Sequence, residues 1–155
     1  MNWHKELNLQ QIDETLGKVR PIMDLNKPVN GWINAIRTAL GMSARVLGAR
    51  VGLTQSGIAL MEKNEVTGSI SLRTLEKAAE GLGCRVVYAL VPENQSLSAM
   101  REKQAMDKAK TINRYAERHM ELEDQATDTQ FQSESTKKLA EEYLRTWPRD
   151  FWDNL

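Results

Sequence analysis

The stretch Ala44-Arg-Val-Leu-Gly-Ala-Arg-Val-Gly-Leu-Thr-Gln-Ser-Gly-Ile-Ala-Leu-Met-Glu62 constrains this chain more than any other. Two helices that cross closely need a small residue at the crossing, and Gly48 fills that role. The turn between them needs a residue tolerant of left-handed geometry, and Gly52 supplies it. Apolar contacts must come from both helices, and Leu47, Val51, Leu53, Ile58 and Met61 fall at those positions. Ser43 is a good N-cap for the first helix, which runs through Arg50. Thr54 is the cap for the second, from Gln55 to about Asn64. The spacing therefore predicts a helix-turn-helix.

The flanks extend this pattern. Trp32 to Leu40 reads as a helix with Ile33, Ile36, Arg37 and Leu40 on one side, stopped by Gly41. Ser71 caps a further helix carrying Leu72, Leu75, Ala78, Ala79 and Leu82, with Gly81 and Gly83 marking its end. The expected fold class is mainly α, a helix-turn-helix bundle over residues 31–83 with additions at both ends. Residues 1–30 form an N-terminal helical arm. Its Leu9, Ile12, Leu16 and Val19 share one helical face that needs the middle domain or a partner chain to cover it, and Pro21 ends or bends it.

After Cys84 the period changes from 3.6 to 2. Residues 84–92 alternate Cys84, Val86, Tyr88 and Leu90 with Arg85, Val87, Ala89 and Val91, and Pro92 closes the run. This pattern predicts a β-strand. No other segment reads as a strand, so its expected partner is a second copy, in a two-stranded ribbon carried by Val86, Val87, Tyr88 and Leu90 across a homodimer axis. Residues 93–155 read as a helical extension. A long helix begins near Ser96 with Ala105, Ala109, Ile112, Ala116 and Met120 in a stripe. A polar loop covers 125–132, and Ser135 caps a last helix before the aromatic end of Trp147, Phe151 and Trp152.

Charge is balanced overall, with 21 Lys and Arg against 21 Asp and Glu, but it is not evenly spread. Residues 32–91 hold seven basic side chains against four acidic, and residues 92–155 ten against thirteen. The single Cys excludes an internal disulfide framework and fits a reducing compartment. The first residues lack an apolar run of signal-peptide length, and no segment approaches the roughly 20 apolar residues of a membrane span. A cytoplasmic protein with no membrane contact is expected. An enzyme needs a constellation of groups, and His4, His119 and Cys84 lie on separate segments without metal-ligand spacing. No catalysis, cofactor or metal is expected.

On these residues, 32–83 resembles the five-helix Xre/Cro-type repressor domains. In that family an Arg of the first helix pairs with a Glu late in the third, and Arg37 and Glu62 match those positions, implying a structural ion pair. Gly31-Trp-Ile-Asn-Ala-Ile-Arg-Thr-Ala-Leu-Gly-Met42, Cys84-Arg-Val-Val-Tyr-Ala-Leu-Val-Pro92 and Met120-Glu-Leu-Glu123 resemble the family called mobile mystery protein A. That resemblance implies a regulator paired with a Fic-domain protein, with an antitoxin role.

The same resemblance implies double-stranded DNA as the ligand, with the start of the Gln55 helix in the major groove. Gln55, Ser56, Ala59 and Leu60 then face base edges, Gln55 being suited to a bidentate contact with adenine. Arg45, Arg50, Thr54, Lys63 and Arg73 are the expected phosphate contacts. Many members of the family have Gln where this chain has Ala44. Gly57 lowers helix propensity by roughly 1 kcal/mol relative to Ala, a cost that makes sense where backbone approaches DNA closely. The expected function is an autorepressor acting as a homodimer on a palindromic operator. The alternative is a protein-interaction module that uses its acidic tail and aromatic end to hold a partner.

Overall fold

The computed structural model describes residues 3–93, 95–123 and 128–153. In chain order the helices are α1 (Trp3–Val19), α2 (Gly31–Ala39), α3 (Ala44–Val51), α4 (Gln55–Thr67), α5 (Leu72–Gly81), α6 (Leu97–Leu122) and α7 (Thr129–Thr146), with a 3-10 turn at Arg20–Ile22 after α1. They form two compact units, one of residues 24–89 and one of residues 3–23 with 90–153.

In the middle unit, α2 to α5 surround a core of Ile33, Leu47, Val51, Ile58, Met61, Ala78 and Leu82. Three of its helices begin with the same device. Ser43, Thr54 and Ser71 accept hydrogen bonds from the N–H groups of Val46 (3.2 Å), Gly57 (3.1 Å) and Thr74 (3.1 Å). Each cap satisfies one of the amide donors that a helix start leaves free. Helix α2 is capped differently. Its Asn30 makes no side-chain cap. Instead the Glu65 carboxylate, buried on α4, accepts from Trp32 N (2.7 Å) and Ile33 N (2.9 Å).

In the outer unit α6 packs along α7, and α1 along α6. The arm helix thus finds partial cover on α6, with Leu9 and Leu16 half-buried and Ile12 still exposed. Asp13 on α1 accepts hydrogen bonds from Leu97 N (2.7 Å), Ser98 N (3.0 Å) and Ser98 Oγ (2.7 Å), while Ser96 caps Ala99 N (3.0 Å). The core is Ala105, Ala109, Ala140 and Phe151. Two buried cations flank it. Arg101 donates to Leu144 O and stacks 3.5 Å over Trp147, and Lys108 donates to the carbonyl oxygen and carboxylate of Asp150. Trp147 ends α7 at a positive φ of 48°, a conformation that a bulky side chain seldom adopts.

The expected dimerisation strand is overturned. Among the described residues there is no β-strand, and 84–91 forms no regular element. Alternating apolar residues favour an extended backbone, but a strand exists only when a second row of N–H and C=O groups pairs with it. No described segment of this chain supplies that row. Val87, Tyr88 and Leu90 are exposed, Leu90 at 89%, while Val86 is half-buried. The fold is therefore mainly helical without the ribbon.

The last helix also starts earlier than Ser135. Asp128 caps α7 by accepting from Phe131 N at 2.7 Å, so residues 129–132, polar apart from Phe131, are helical. The part of the expected loop at 125–127 lies outside the described residues.

Candidate nucleic-acid interface

The middle unit's candidate surface is built by α3, the turn at Gly52 and α4. Gly52 lies at φ 71°, and its N–H and that of Leu53 both return to the Gly48 carbonyl, Leu53 at 2.8 Å. A Cβ on Gly48 would collide with the Leu53 carbonyl oxygen. The small residue is thus required by the returning turn itself. Gly81 has a second packing role that its place at a helix end concealed: a Cβ there would strike Val51 Cγ1, so α5 lies against α3 at this point.

This geometry fixes which side of α4 is left outside. Ile58 and Met61 are buried, and Gln55, Ser56, Ala59, Leu60 and Lys63 are exposed, Leu60 at 58%. Gln55 and Ser56 are the first two residues of the helix, so their amide N–H groups precede the one that Thr54 caps. The Thr54 hydroxyl, having accepted from Gly57, retains its own proton to donate. Arg45 lies on the first turn of α3, Arg50 on its last, and Arg73 on the first turn of α5. All three are exposed, as is Lys63, and among the described residues none of the four enters an ion pair. Ala44 packs against the core. That position serves packing in this chain.

Behind the exposed face lies a polar cluster. Arg37 Nε and Nη2 donate to Glu62 Oε1 (2.6 Å) and Oε2 (3.2 Å), and Arg37 Nη1 donates to Met42 O (2.9 Å). Asn34 Nδ2 adds a bond to Glu62 Oε2 (2.9 Å). Burial pushes the Glu62 carboxyl up, but the hydrogen bonds from Arg37 and Asn34 and the Arg37 charge outweigh it and hold it below its ordinary value. Asn34 and Glu65 were not singled out by sequence reasoning. Glu65 left no local signal, because Asn30 is by type a competent cap and the carboxylate arrives from α4.

The three terminal aromatics have separate fates within the outer unit. Phe151 is fully buried, Trp147 lies under Arg101, and Trp152 is 54% exposed. Among the described residues no helix is long and apolar enough to cross a membrane, and no group of three His, Cys, Asp or Glu side chains is placed to hold a metal.

No curated protein and no solved structure matches the chain. Residues 33–88 match the family model described as helix-turn-helix. That span holds α3, the Gly52 turn and α4 with most of the core around them, and this part of the chain is a helix-turn-helix domain, similar to those of the Xre/Cro type.

Proposed function

We propose that the protein is a sequence-specific regulator of transcription that binds double-stranded DNA through α4. The observation that carries this reading is the division of α4 itself. Ile58 and Met61 are committed to the core, while Gln55, Ser56, Ala59 and Leu60 form an exposed strip at the helix start. Gln55 reads adenine by a bidentate amide contact, Ser56 bonds to a neighbouring base edge, and Ala59 and Leu60 meet thymine methyl groups. Arg45, Arg50, Thr54, Lys63 and Arg73 hold phosphates around that strip.

With seven basic side chains against four acidic in residues 32–91, one copy has modest attraction for DNA. Two copies on a palindromic operator, with half-sites about one helical turn apart, supply the rest. Autorepression and a neighbouring Fic-domain protein, with an antitoxin role, rest on the resemblance of Gly31–Met42, Cys84–Pro92 and Met120–Glu123 alone.

The test is fluorescence anisotropy of labelled DNA taken from upstream of the coding sequence, at two salt concentrations. Arg50→Ala is expected to weaken operator and random DNA alike and to flatten the salt dependence, whereas Gln55→Ala weakens the operator selectively. Absence of binding to either DNA at micromolar protein contradicts the proposal. The interaction-module reading loses much of its support, because Phe151 and Trp147 are used inside the outer unit.

A further inference from the structure

The middle unit contains an apolar cavity of about 290 Å³ between α2, α5 and the irregular segment that follows α5. Trp32 and Ile36 form one wall, Leu75 and Leu82 another, and Val87 and Arg85 come from the segment. The volume is at the small end of ligand pockets, which run upward from roughly 300 Å³. Trp32 is 41% exposed, although its neighbour Ile33 is buried in the core. No carboxylate lines the cavity, and the one charged lining residue is Arg85, which enters no ion pair among the described residues.

From this combination we propose that the cavity binds a small carboxylate with an apolar body, such as a medium-chain fatty acid. The chain inserts between Trp32, Ile36 and Leu75, and the carboxylate meets the Arg85 guanidinium. Apolar walls fix the body and the lone cation fixes the head, so an acid is preferred over a neutral molecule of the same length.

The cavity is one hydrogen-bonded step from α4. Trp32 and Ile33 line it, and their backbone N–H groups are the donors held by Glu65 of α4. A ligand that displaces the start of α2 must shift or release that carboxylate, three residues beyond Glu62 on the same helix. The site is therefore placed to bias the DNA-binding surface. This second part rests on the proposed function, whereas binding of the acid does not.

Octanoate is the probe, and Cys84 is the reporter. Cys84 lines the cavity and is the chain's single cysteine, so a thiol reagent reads its accessibility without interference. Saturating octanoate is expected to slow Cys84 modification severalfold in the full-length chain. Octanol, without the charge, is expected to bind about threefold more weakly, as is octanoate to Arg85→Ala. Ala79→Phe, which places a ring in the cavity, is expected to abolish protection. A urea midpoint at or above that of the unmodified chain shows that this variant is folded.

Absence of saturable protection overturns the proposal. So does protection that survives Ala79→Phe, which places the acid elsewhere, or equal binding of octanol and octanoate, which removes the role of Arg85. Protection that rises with protein concentration in the absence of octanoate also overturns it, since a second copy then covers the cavity. In the DNA assay, octanoate is expected to change operator affinity severalfold, and Glu65→Gln to reduce that change. An operator affinity indifferent to octanoate overturns the regulatory part, and failure of the unliganded chain to bind DNA contradicts the preceding proposal instead.

Discussion

The two units bury different chemistry. Residues 24–89 enclose branched and flexible apolar side chains, Leu47 and Ile58 with no exposed surface, with Glu65 as the one buried carboxylate, spent on the start of α2, and the Arg37–Glu62 pair at the margin. The outer unit buries three alanines and a single phenylalanine, and it draws Arg101 and Lys108 inward to carbonyl oxygens near the end of α7. Alanines let two long helices approach closely, but they contribute little apolar area, so Phe151 carries a disproportionate share. Cations near a helix C-terminus also meet its negative end favourably. The middle unit is held by its core, and the outer unit by one aromatic anchor and directed polar contacts.

Removing the anchor tests this contrast most severely. Phe151→Ala is expected to cost the outer unit about 3–5 kcal/mol, within the usual range for a buried aromatic. Hydrogen exchange resolved by segment is expected to show lost protection in α6 and α7 with α3 and α4 unchanged. Equal loss in both units would break the comparison.

The next effect separates the half-buried Arg37 from the buried Lys108. Arg37→Met leaves Glu62 partly buried without its main partner, at a cost of about 3 kcal/mol in denaturant unfolding. Lys108→Met leaves only Asp150, whose side chain is 61% exposed and regains water, so the change stays within about 1 kcal/mol. A larger loss for Lys108→Met than for Arg37→Met contradicts this assignment.

Acid sharpens the comparison, because the middle unit holds a depressed carboxyl at Glu62 and the outer unit holds two, Asp13 and Asp150, the latter held down by its hydrogen bond from Lys108. Burial raises Asp13, but the Ser98 hydroxyl and the N–H groups of Leu97 and Ser98 more than offset it, as Arg37 and Asn34 do for Glu62. Such groups add stability above their unfolded pKa of about 4, and that stability is lost as pH falls through the lower folded value. Thermal unfolding followed from neutral pH downward is expected to show both units weakening below about pH 4. Asp13→Asn reduces this dependence in the outer unit, leaving the share of Asp150, and Glu62→Gln removes it from the middle one. Weakening that begins near neutral pH would contradict both assignments.

Gly57 gives the smallest effect on stability. A Cβ there makes ordinary contacts at 3.4 Å, whereas the unit's other glycines either sit at positive φ or would clash. Gly57→Ala is expected to raise stability by up to about 1 kcal/mol through helix propensity while weakening DNA binding. Tighter DNA binding by this variant would remove the argument that glycine serves close approach.

What was legible in the sequence was local. Ser43, Thr54 and Ser71 each act on an amide three residues ahead, and Gly48 and Gly52 serve a turn a few residues long. The caps contributed across the chain were not legible: Glu65 reaches back to Trp32, and Asp13 reaches forward to Leu97. Nothing local marks Arg101 and Lys108, whose partners Leu144 and Asp150 lie 43 and 42 residues further on. The strand at 84–92 failed for a related reason. Alternation describes one chain's faces, whereas a sheet depends on a partner that alternation does not name. The candidate reading strip on α4 followed from the helix-turn-helix register, and Asn34 behind it did not.

The central claim is that the start of α4 reads base sequence. Its most direct test compares Gln55→Ala with the unmodified chain on labelled upstream DNA and on random DNA at one fixed salt concentration. The account predicts that operator affinity falls by about tenfold, corresponding to roughly 1–3 kcal/mol for a bidentate base contact, while random DNA is bound as before. Equal affinities of the two proteins for the operator would contradict it.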